Sequence, residues 1–407
     1  MSFAAHFAEL DRWLHQHQAL WRAKPFTELQ LPWEADWPEL AHWLRQRSLA
    51  EAEAAHQAPQ LLQAPAPFTQ LAADAIGFIR LPRWQAPPDN ALPEPLYRHI
   101  PGRKWQQITA FAGVAAAQLQ QPATRWIDWC AGKGHLGRLL AWQGRQPLVC
   151  LEQDAALIQA GAALSQALSV DAQHLQTDVL ASDCAKQLRG HDSVVALHAC
   201  GQLHMTLLQQ LVANDCRQLA LSPCCYNRIE PERYQPLSAA ARAAQLQLSK
   251  EDLSLPLQET VTAGQRERQQ RDRSMAWRLA FDLWQREARG IDSYLPSPSK
   301  PPGGTVQGFA GFCRSLAEHH QLQLADPDSW PQLEQRGWQR LAEVRNLELL
   351  RGLFRRPLEV WLLLDRALYL QEAGYQVQLG EFCSRSLTPR NLLLLAEKQN
   401  QQVITSL

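Results

Sequence analysis

The sequence lacks a net charge, a membrane-length apolar run and a regular pattern of cysteines. Forty basic residues balance forty acidic ones, so a nucleic-acid partner would need a local basic face. No apolar run approaches the roughly 20 residues of a membrane helix, and residues 1–30 hold no secretory apolar core. The nine cysteines are odd in number and include no CxxC pair, which favours reduced thiols. These absences predict a cytoplasmic protein with no membrane partner and no metal.

What the sequence does contain is a glycine-rich turn between an apolar run and an amphipathic one. The apolar run at 126–130 contains Asp128. Gly132 and Gly134 form the turn, and the amphipathic run starts at His135. Glycine lets the backbone turn sharply and lets a ligand approach it, and a helix N-terminus offers unpaired N–H groups. The stretch therefore predicts a strand, a turn and a helix that bind a nucleotide-like cofactor.

Two cofactors fit this turn. Gly132, Gly134 and Gly137 match the G-x-G-x-x-G fingerprint of dinucleotide-binding folds. Asp128 lies four residues before the first glycine, where it would repel a pyrophosphate but attract the cationic amino group of S-adenosylmethionine. The pattern favours S-adenosylmethionine, and an NAD(P)-dependent oxidoreductase is the alternative.

The segments after the turn repeat at the length of a strand plus a crossover helix, which predicts a doubly wound parallel sheet. The predicted strands are 126–130, 147–152, 173–177, 193–199 and 217–222. A late hairpin, 375–382 with 391–396, would close the sheet with an antiparallel strand, as methyltransferase sheets do and dehydrogenase sheets do not. We expect a Rossmann-like α/β fold with seven strands.

The regions outside this repeat are mainly helical. Residues 1–98 form an N-terminal helical region, and 99–407 form the domain that contains the sheet. A helical insertion at 231–345 interrupts that domain. Within it, the helix 266–289 carries seven arginines against four acids. With the Pro-Pro-Gly-Gly loop at 301–304 it predicts either a phosphate-contacting face for RNA or a solvated helix side with i,i+4 pairs.

Three predicted strands end in polar side chains that suit the cofactor. Glu152 would accept both ribose hydroxyls. Asp178 would accept the adenine amino group, or instead cap a helix that starts near Ser182. His198 would lie beside the reactive end, where it could act as a base. The predicted cofactor-binding residues are Asp128, Ala131, Gly132, Gly134, Glu152, Asp178 and His198.

The fourth and fifth predicted strands end in cysteines, and the predicted catalytic residues are His198, Cys224, Cys225 and Tyr226. Their thiols could orient the acceptor or fill packing space. Cys224 or Cys225 could instead attack a pyrimidine ring as a thiolate. A zinc site formed by His198, Cys200, Cys224 and Cys225 is a third alternative, which the absence of a CxxC pair and the adjacency of two of the cysteines do not favour.

Three motifs, DWCAGKGHL (128–136), HACG (198–201) and CCY (224–226), together resemble one branch of the class I S-adenosylmethionine-dependent methyltransferases. The branch includes the glutathione S-transferase C-terminal-domain-containing proteins, and segment 365–391 also resembles it. The branch is similar to the tRNA 2′-O-methyltransferases, but these carry Cys-Cys-His-His where this chain has CCYN (224–227).

The resemblance implies an S-adenosylmethionine-dependent methyltransferase. The first expectation for the methyl acceptor is RNA, either tRNA or rRNA. A protein or small-molecule acceptor and a non-catalytic cofactor-binding adaptor are the alternatives.

Overall fold

The computed structural model describes residues 2–87, 92–258, 265–298 and 308–398. The α-helices are α1 (Phe3–Gln16), α2 (Gln18–Arg22), α3 (Pro38–Arg45), α4 (Leu49–Ala55), α5 (Phe68–Phe78), α6 (Gly102–Gln118), α7 (His135–Gly144), α8 (Ala155–Ala167), α9 (Gln202–Ala213), α10 (Ala239–Arg242), α11 (Gln265–Arg289), α12 (Gly308–His319), α13 (Trp330–Gly352) and α14 (Arg355–Glu372). The strands are β1 (Trp126–Trp129), β2 (Leu148–Glu152), β3 (Ala172–Gln176), β4 (Ser193–Cys200), β5 (Gln218–Cys224), β6 (Tyr375–Glu381) and β7 (Leu392–Lys398).

The seven strands form one sheet in the order β3-β2-β1-β4-β5-β7-β6. The first five strands run parallel, and β7 is antiparallel to both β5 and β6. Ile127 at the centre pairs with Val149 on one side and Val194 on the other, and all three are buried. This order confirms the predicted Rossmann-like α/β fold, including its antiparallel last strand.

One predicted helix is of a different kind. The helix that the sequence predicts from near Ser182 is a 3₁₀ helix at Ser182–Gln187. Ala181 precedes it and has no side chain that could cap the free N–H groups. The segment is also only six residues long, and short segments of this kind commonly adopt the tighter 3₁₀ geometry.

The chain divides into two compact units, and the unit that contains the sheet consists of residues 1–13, 79–259 and 358–407. Helices α6 and α7 cover one face of its sheet. Phe111 and Leu139 from these helices join Leu148, Val195 and Leu393 from the strands in one buried cluster. Burying each such side chain contributes about 1.5–3 kcal/mol. The same cluster therefore fixes the position of β1 and of the turn that follows it.

The second compact unit consists of residues 14–78 and 260–357. Helices α11 and α13 pack together through Ala276 and Leu279 against Leu341 and Val344. An aromatic cluster extends this core, and its largest members are Phe281, Trp284, Phe309 and Phe312. The second unit thus combines part of the predicted N-terminal helical region with a segment that includes most of the predicted helical insertion. A boundary near residue 98 stays a prediction.

None of the helices in the described ranges combines the length and the apolar character that crossing a membrane requires.

Candidate functional site

The glycine-rich turn joins the end of β1 to the start of α7. Gly134 precedes α7 with φ +67°, and a Cβ there would lie only 2.7 Å from the Cys150 Sγ. Its N–H donates to the Ala131 carbonyl at 2.8 Å, which closes the turn. Gly132 also has a positive φ of +56°, but a Cβ there would meet nothing within 4 Å. The turn is therefore rigid at Gly134 and open above Gly132, which leaves room for a ligand.

Asp128 ties the end of β1 to the first turn of α7. It is buried, and its Oδ2 accepts a hydrogen bond of 2.9 Å from the Gly137 N–H. Burial raises the pKa of Asp128 to about 7, while the bond from Gly137 and the charge of Arg138 act in the opposite direction. The carboxyl thus satisfies one of the free N–H groups of the helix. A contact of Asp128 with the cofactor's amino group stays a prediction.

The Glu152 side chain holds the turn by accepting hydrogen bonds from backbone N–H groups. Its Oε2 accepts from the Gly132 N–H at 2.8 Å, and its Oε1 accepts from the N–H groups of Gln153 and Asp154 at 2.9 and 3.0 Å. The side chain is half-buried at the carboxyl end of β2. A carboxylate has about four acceptor positions, so the three bonds leave Glu152 capacity for about one further donor, such as a ribose hydroxyl. The residues at this edge thus fit an adenosine cofactor, and the sequence had not indicated the bond to Gly132.

Asp178 is exposed after β3, and its Oδ1 accepts from the Leu180 N–H at 3.0 Å. It closes a local turn of its own. The alternative that Asp178 caps the helix near Ser182 is wrong, because Ala181 occupies the capping position. The adenine contact stays a prediction.

His198 lies at an irregularity of β4. The pairing of β4 with β5 shifts between Leu197 and Ala199, and His198 has φ +64°. Its Nε2 lies 3.0 Å from the Gln107 Oε1 on α6. Burial, followed by the charges of Arg390 and Lys104, lowers the pKa of His198 to about 4. The imidazole is therefore neutral at pH 7, and with Nε2 donating to Gln107 its Nδ1 carries a free lone pair.

The cysteines at the ends of β4 and β5 form one cluster, defined by Cys200, Cys224 and Cys225, whose sulfurs all lie within 4.8 Å of one another. The Sγ atoms of Cys200 and Cys224 are 3.4 Å apart. Hydrogen bonding with Cys224 lowers the pKa of Cys225 to about 5, although partial burial opposes this shift. The contacts with Cys200 and Cys225 raise the pKa of Cys224 well above its usual range. Cys225 is thus the thiol of the cluster best suited to be a thiolate.

Tyr226 is buried against a cation and a histidine. The Arg366 guanidinium carbon lies 5.0 Å from its ring centre, and the His204 ring packs edge-on at 5.7 Å. Arg366 donates from Nε to the His204 Nε2 at 2.9 Å, and the His204 Nδ1 contacts the Ala199 carbonyl at 3.0 Å. Tyr226, which directly follows Cys225, is therefore part of a buried network with Arg366 and His204. Its predicted catalytic role stays a prediction.

Asp365, the residue next to Arg366, belongs to the same buried network. Asp365 is fully buried and accepts from the Tyr234 hydroxyl, the Leu237 N–H, the Ser238 N–H and the Ser238 hydroxyl. Two charged residues in the middle of an apolar helix were the available signal, because such residues are buried only when they are paired or hydrogen-bonded. Asp365 and Arg366 belong to the segment that resembles the methyltransferase branch, but the resemblance gives neither residue a role.

The comparisons with known proteins agree with this geometry. A family model described as a methyltransferase domain matches residues 103–232. Two curated relatives are named glutathione S-transferase C-terminal domain-containing protein homologs. The one from Drosophila melanogaster is 30% identical over 164 residues, covering 38% of this chain and 26% of the relative. The one from Drosophila pseudoobscura pseudoobscura is 31% identical over 136 residues, covering 32% and 21%. The chain spans about a quarter or less of the length of these relatives.

Solved structures with distant similarity include coclaurine N-methyltransferase bound to N-methylheliamine and SAH, at 12% identity, with 96% of this chain and 94% of that chain covered and a TM-score of 0.29. The plantazolicin methyltransferase in complex with SAH is 13% identical, with coverages of 42% and 59% and a TM-score of 0.23. These scores are low, so the fold assignment depends on the strand order and not on the superpositions. With the family match, the strand order and the glycine turn in agreement, residues 103–232 are similar to a methyltransferase domain, and the cofactor that such a domain uses is S-adenosylmethionine.

Proposed function

We propose that this chain transfers a methyl group from S-adenosylmethionine to RNA. The observation that supports methyl transfer is the convergence of the open glycine turn, Asp128 and Glu152 at the carboxyl ends of β1 and β2. This edge is where doubly wound sheets bind their ligands. When bound, the cofactor supplies an electrophilic methyl group on a sulfonium sulfur.

The residues of this edge have separate tasks in the proposal. Glu152 accepts a ribose hydroxyl, and Asp128 in its ionised form supplies negative charge near the cofactor's amino group. His198 presents its neutral imidazole to the acceptor and can take a proton from it through Nδ1. Direct displacement needs alignment more than covalent chemistry, so most of the rate enhancement comes from holding the acceptor in line.

Support for RNA comes from the resemblance and from the arginines of α11. Arg266, Arg268 and Arg273 are exposed, and Arg266 and Arg273, seven positions apart, share one helix face that can contact phosphates. The other arginines contribute less to such a face. Arg286, for example, is buried and donates to Asp282 at 2.9 Å, an i,i+4 pair of the kind the alternative prediction describes. The predicted loop at 301–304 lies outside the described residues.

The experiment is transfer of labelled methyl from S-adenosylmethionine to total RNA from a strain that lacks the gene. A protein extract is treated in parallel. We expect label in RNA and a background level in protein. Label in protein alone would contradict the RNA assignment, and cofactor binding without label in either extract would contradict catalysis.

A triple variant tests the arginine face. Replacing Arg266, Arg268 and Arg273 with alanine should raise KM for RNA about tenfold or more at low salt and flatten its salt dependence, because fewer counterions are released. The matched control replaces the same residues with lysine, which keeps the charges. The two variants should differ in KM and not in binding of S-adenosylhomocysteine. Equal KM values for the wild type and the alanine variant would show that RNA does not use this face.

A further inference from the structure

The cysteine cluster has a geometry that the sequence did not indicate. Cys200 and Cys224 are direct partners across the parallel pair β4–β5, so their side chains leave the sheet on the same face. Their sulfurs lie 3.4 Å apart at the carboxyl end of both strands. Strand register, which no spacing within the sequence reveals, therefore joins residues from two separate motifs.

The third cysteine joins them because of its backbone conformation. Consecutive residues in an extended strand point to opposite faces, and for this reason adjacent cysteines were not expected to chelate. Cys225 has φ +46°, however, a left-handed conformation that ends the strand. The reversal brings the Cys225 sulfur to the same side as that of Cys224, and the three sulfurs lie within 4.8 Å of one another.

Backbone bonds hold the two loops that carry these cysteines. The Gly201 N–H donates to the Cys224 carbonyl at 3.0 Å, and the Gln202 N–H donates to the Arg228 carbonyl at 2.8 Å. The thiols of Cys200 and Cys224 both approach the His198 carbonyl, at 3.6 and 3.2 Å. The cluster is therefore a preorganised feature of the fold.

We propose that Cys200, Cys224 and Cys225 bind one Zn²⁺ through three thiolates and leave its fourth coordination position open. Zinc–sulfur bonds of about 2.3 Å place the sulfurs of a tetrahedral site about 3.8 Å apart, so small rotations of these side chains complete the site. Cys200 and Cys225 are only partly buried, so a small ligand can reach the cluster from their side. Three protein ligands with an open fourth position are the arrangement of catalytic zinc sites.

The surroundings suit the net charge of such a site. Three thiolates and one Zn²⁺ carry one negative charge, and the positive charges of Arg228 and Arg390 both act on Cys225. Zinc would also join the ends of β4 and β5 beside His198, without requiring any particular methyl acceptor. The proposal thus stands or fails separately from RNA methylation.

The test measures bound metal in the whole chain. Reduced protein is incubated with zinc sulfate, dialysed against a weak chelator and analysed for metal by mass spectrometry. We expect one zinc per chain in the wild type. Single serine substitutions at the three cysteines should weaken binding by more than about tenfold, since even losing a hydrogen-bond partner of a ligand costs about 10- to 100-fold.

Cys383→Ser is the matched control, because Cys383 is also partly buried but does not belong to the cluster. This variant should keep its zinc. A second measurement needs no variant: Co²⁺ bound to the wild type should give the sulfur-to-cobalt charge-transfer band of several thiolate ligands. Wild-type protein that retains no zinc and shows no such band, or that is isolated with a Cys200–Cys224 disulfide, would overturn the proposal.

Discussion

At the scale of single residues, side chains that were predicted to bind the cofactor also bind backbone N–H groups of the protein. The sequence correctly indicated that Asp128 and Glu152 lie at the ends of strands, because each follows an apolar run. It did not indicate that Asp128 accepts from Gly137 or that Glu152 accepts from Gly132. Such bonds depend on how closely the turn returns to the sheet, and that distance is set by packing.

The ionisation of Asp128 gives a prediction at this scale. Its pKa is raised from 3.8 to about 7, so the folded chain holds more protons than the unfolded chain between about pH 4 and pH 7. The free energy of unfolding contributed by this group therefore falls as pH rises through that window. Asp128→Asn keeps an acceptor for Gly137 but cannot ionise. Without ligand, the variant should gain up to about 4 kcal/mol on the wild type between pH 4 and pH 8.

The measurement is urea unfolding of both proteins at several pH values. The contributions of other groups cancel in the difference between the two proteins. A difference that stays constant with pH would show that the Asp128 carboxyl is not destabilised by its burial.

At the scale of elements, most boundaries followed from apolar periodicity. The predicted strand 193–199 is β4 at Ser193–Cys200, and the predicted helix 266–289 is α11 at Gln265–Arg289. Local pattern failed where tertiary contacts decide the conformation. The positive φ of His198 and of Cys225 arises where the two loops are bonded to each other, and such a φ is uncommon for any residue other than glycine.

Helix α14 gives a prediction at this scale, because it holds segment 237–239 by two acidic residues. Asp365 is buried and accepts from the N–H groups of both Leu237 and Ser238. Asp365→Ala should lower the free energy of unfolding by about 3–5 kcal/mol, since it leaves the Tyr234 hydroxyl and the N–H groups of Leu237 and Ser238 buried without their acceptor.

Glu372→Ala is the matched control. Glu372 lies on the same helix and accepts from the Ala239 N–H, but in an exposed position. Its loss should cost no more than about 1 kcal/mol. Unfolding midpoints in urea compare the two variants, and equal losses would show that Asp365 does not anchor the segment.

At the scale of the whole molecule, the strand order separates the two cofactors that the sequence allowed. Strand β7 lies between β5 and β6 and runs antiparallel to both, which favours S-adenosylmethionine over a nicotinamide. Sequence alone could predict the hairpin from its turn, but not the order of its strands. Order depends on which strand buries the apolar side chains of β5, and Leu394 does so by pairing with Leu221.

Ligand-dependent stability tests this assignment. A ligand that binds only the folded chain stabilises it by about 2.7 kcal/mol at 100 times its Kd. S-adenosylhomocysteine should therefore raise Tm by several degrees, and NADH at the same concentration should leave it unchanged. Stabilisation by NADH alone would contradict the cofactor assignment.

The interior position of β7 also bears on the order of events during synthesis. Strand β5 acquires its second neighbour only after the ribosome has made everything up to residue 398, including α11, α12 and α13. Until then, the border of β5 is an open row of peptide groups, the kind of edge that recruits stray strands. Nascent chains stalled before residue 392 should therefore depend on chaperones, and the full sheet should form as a late, slow step dominated by loop-closure entropy.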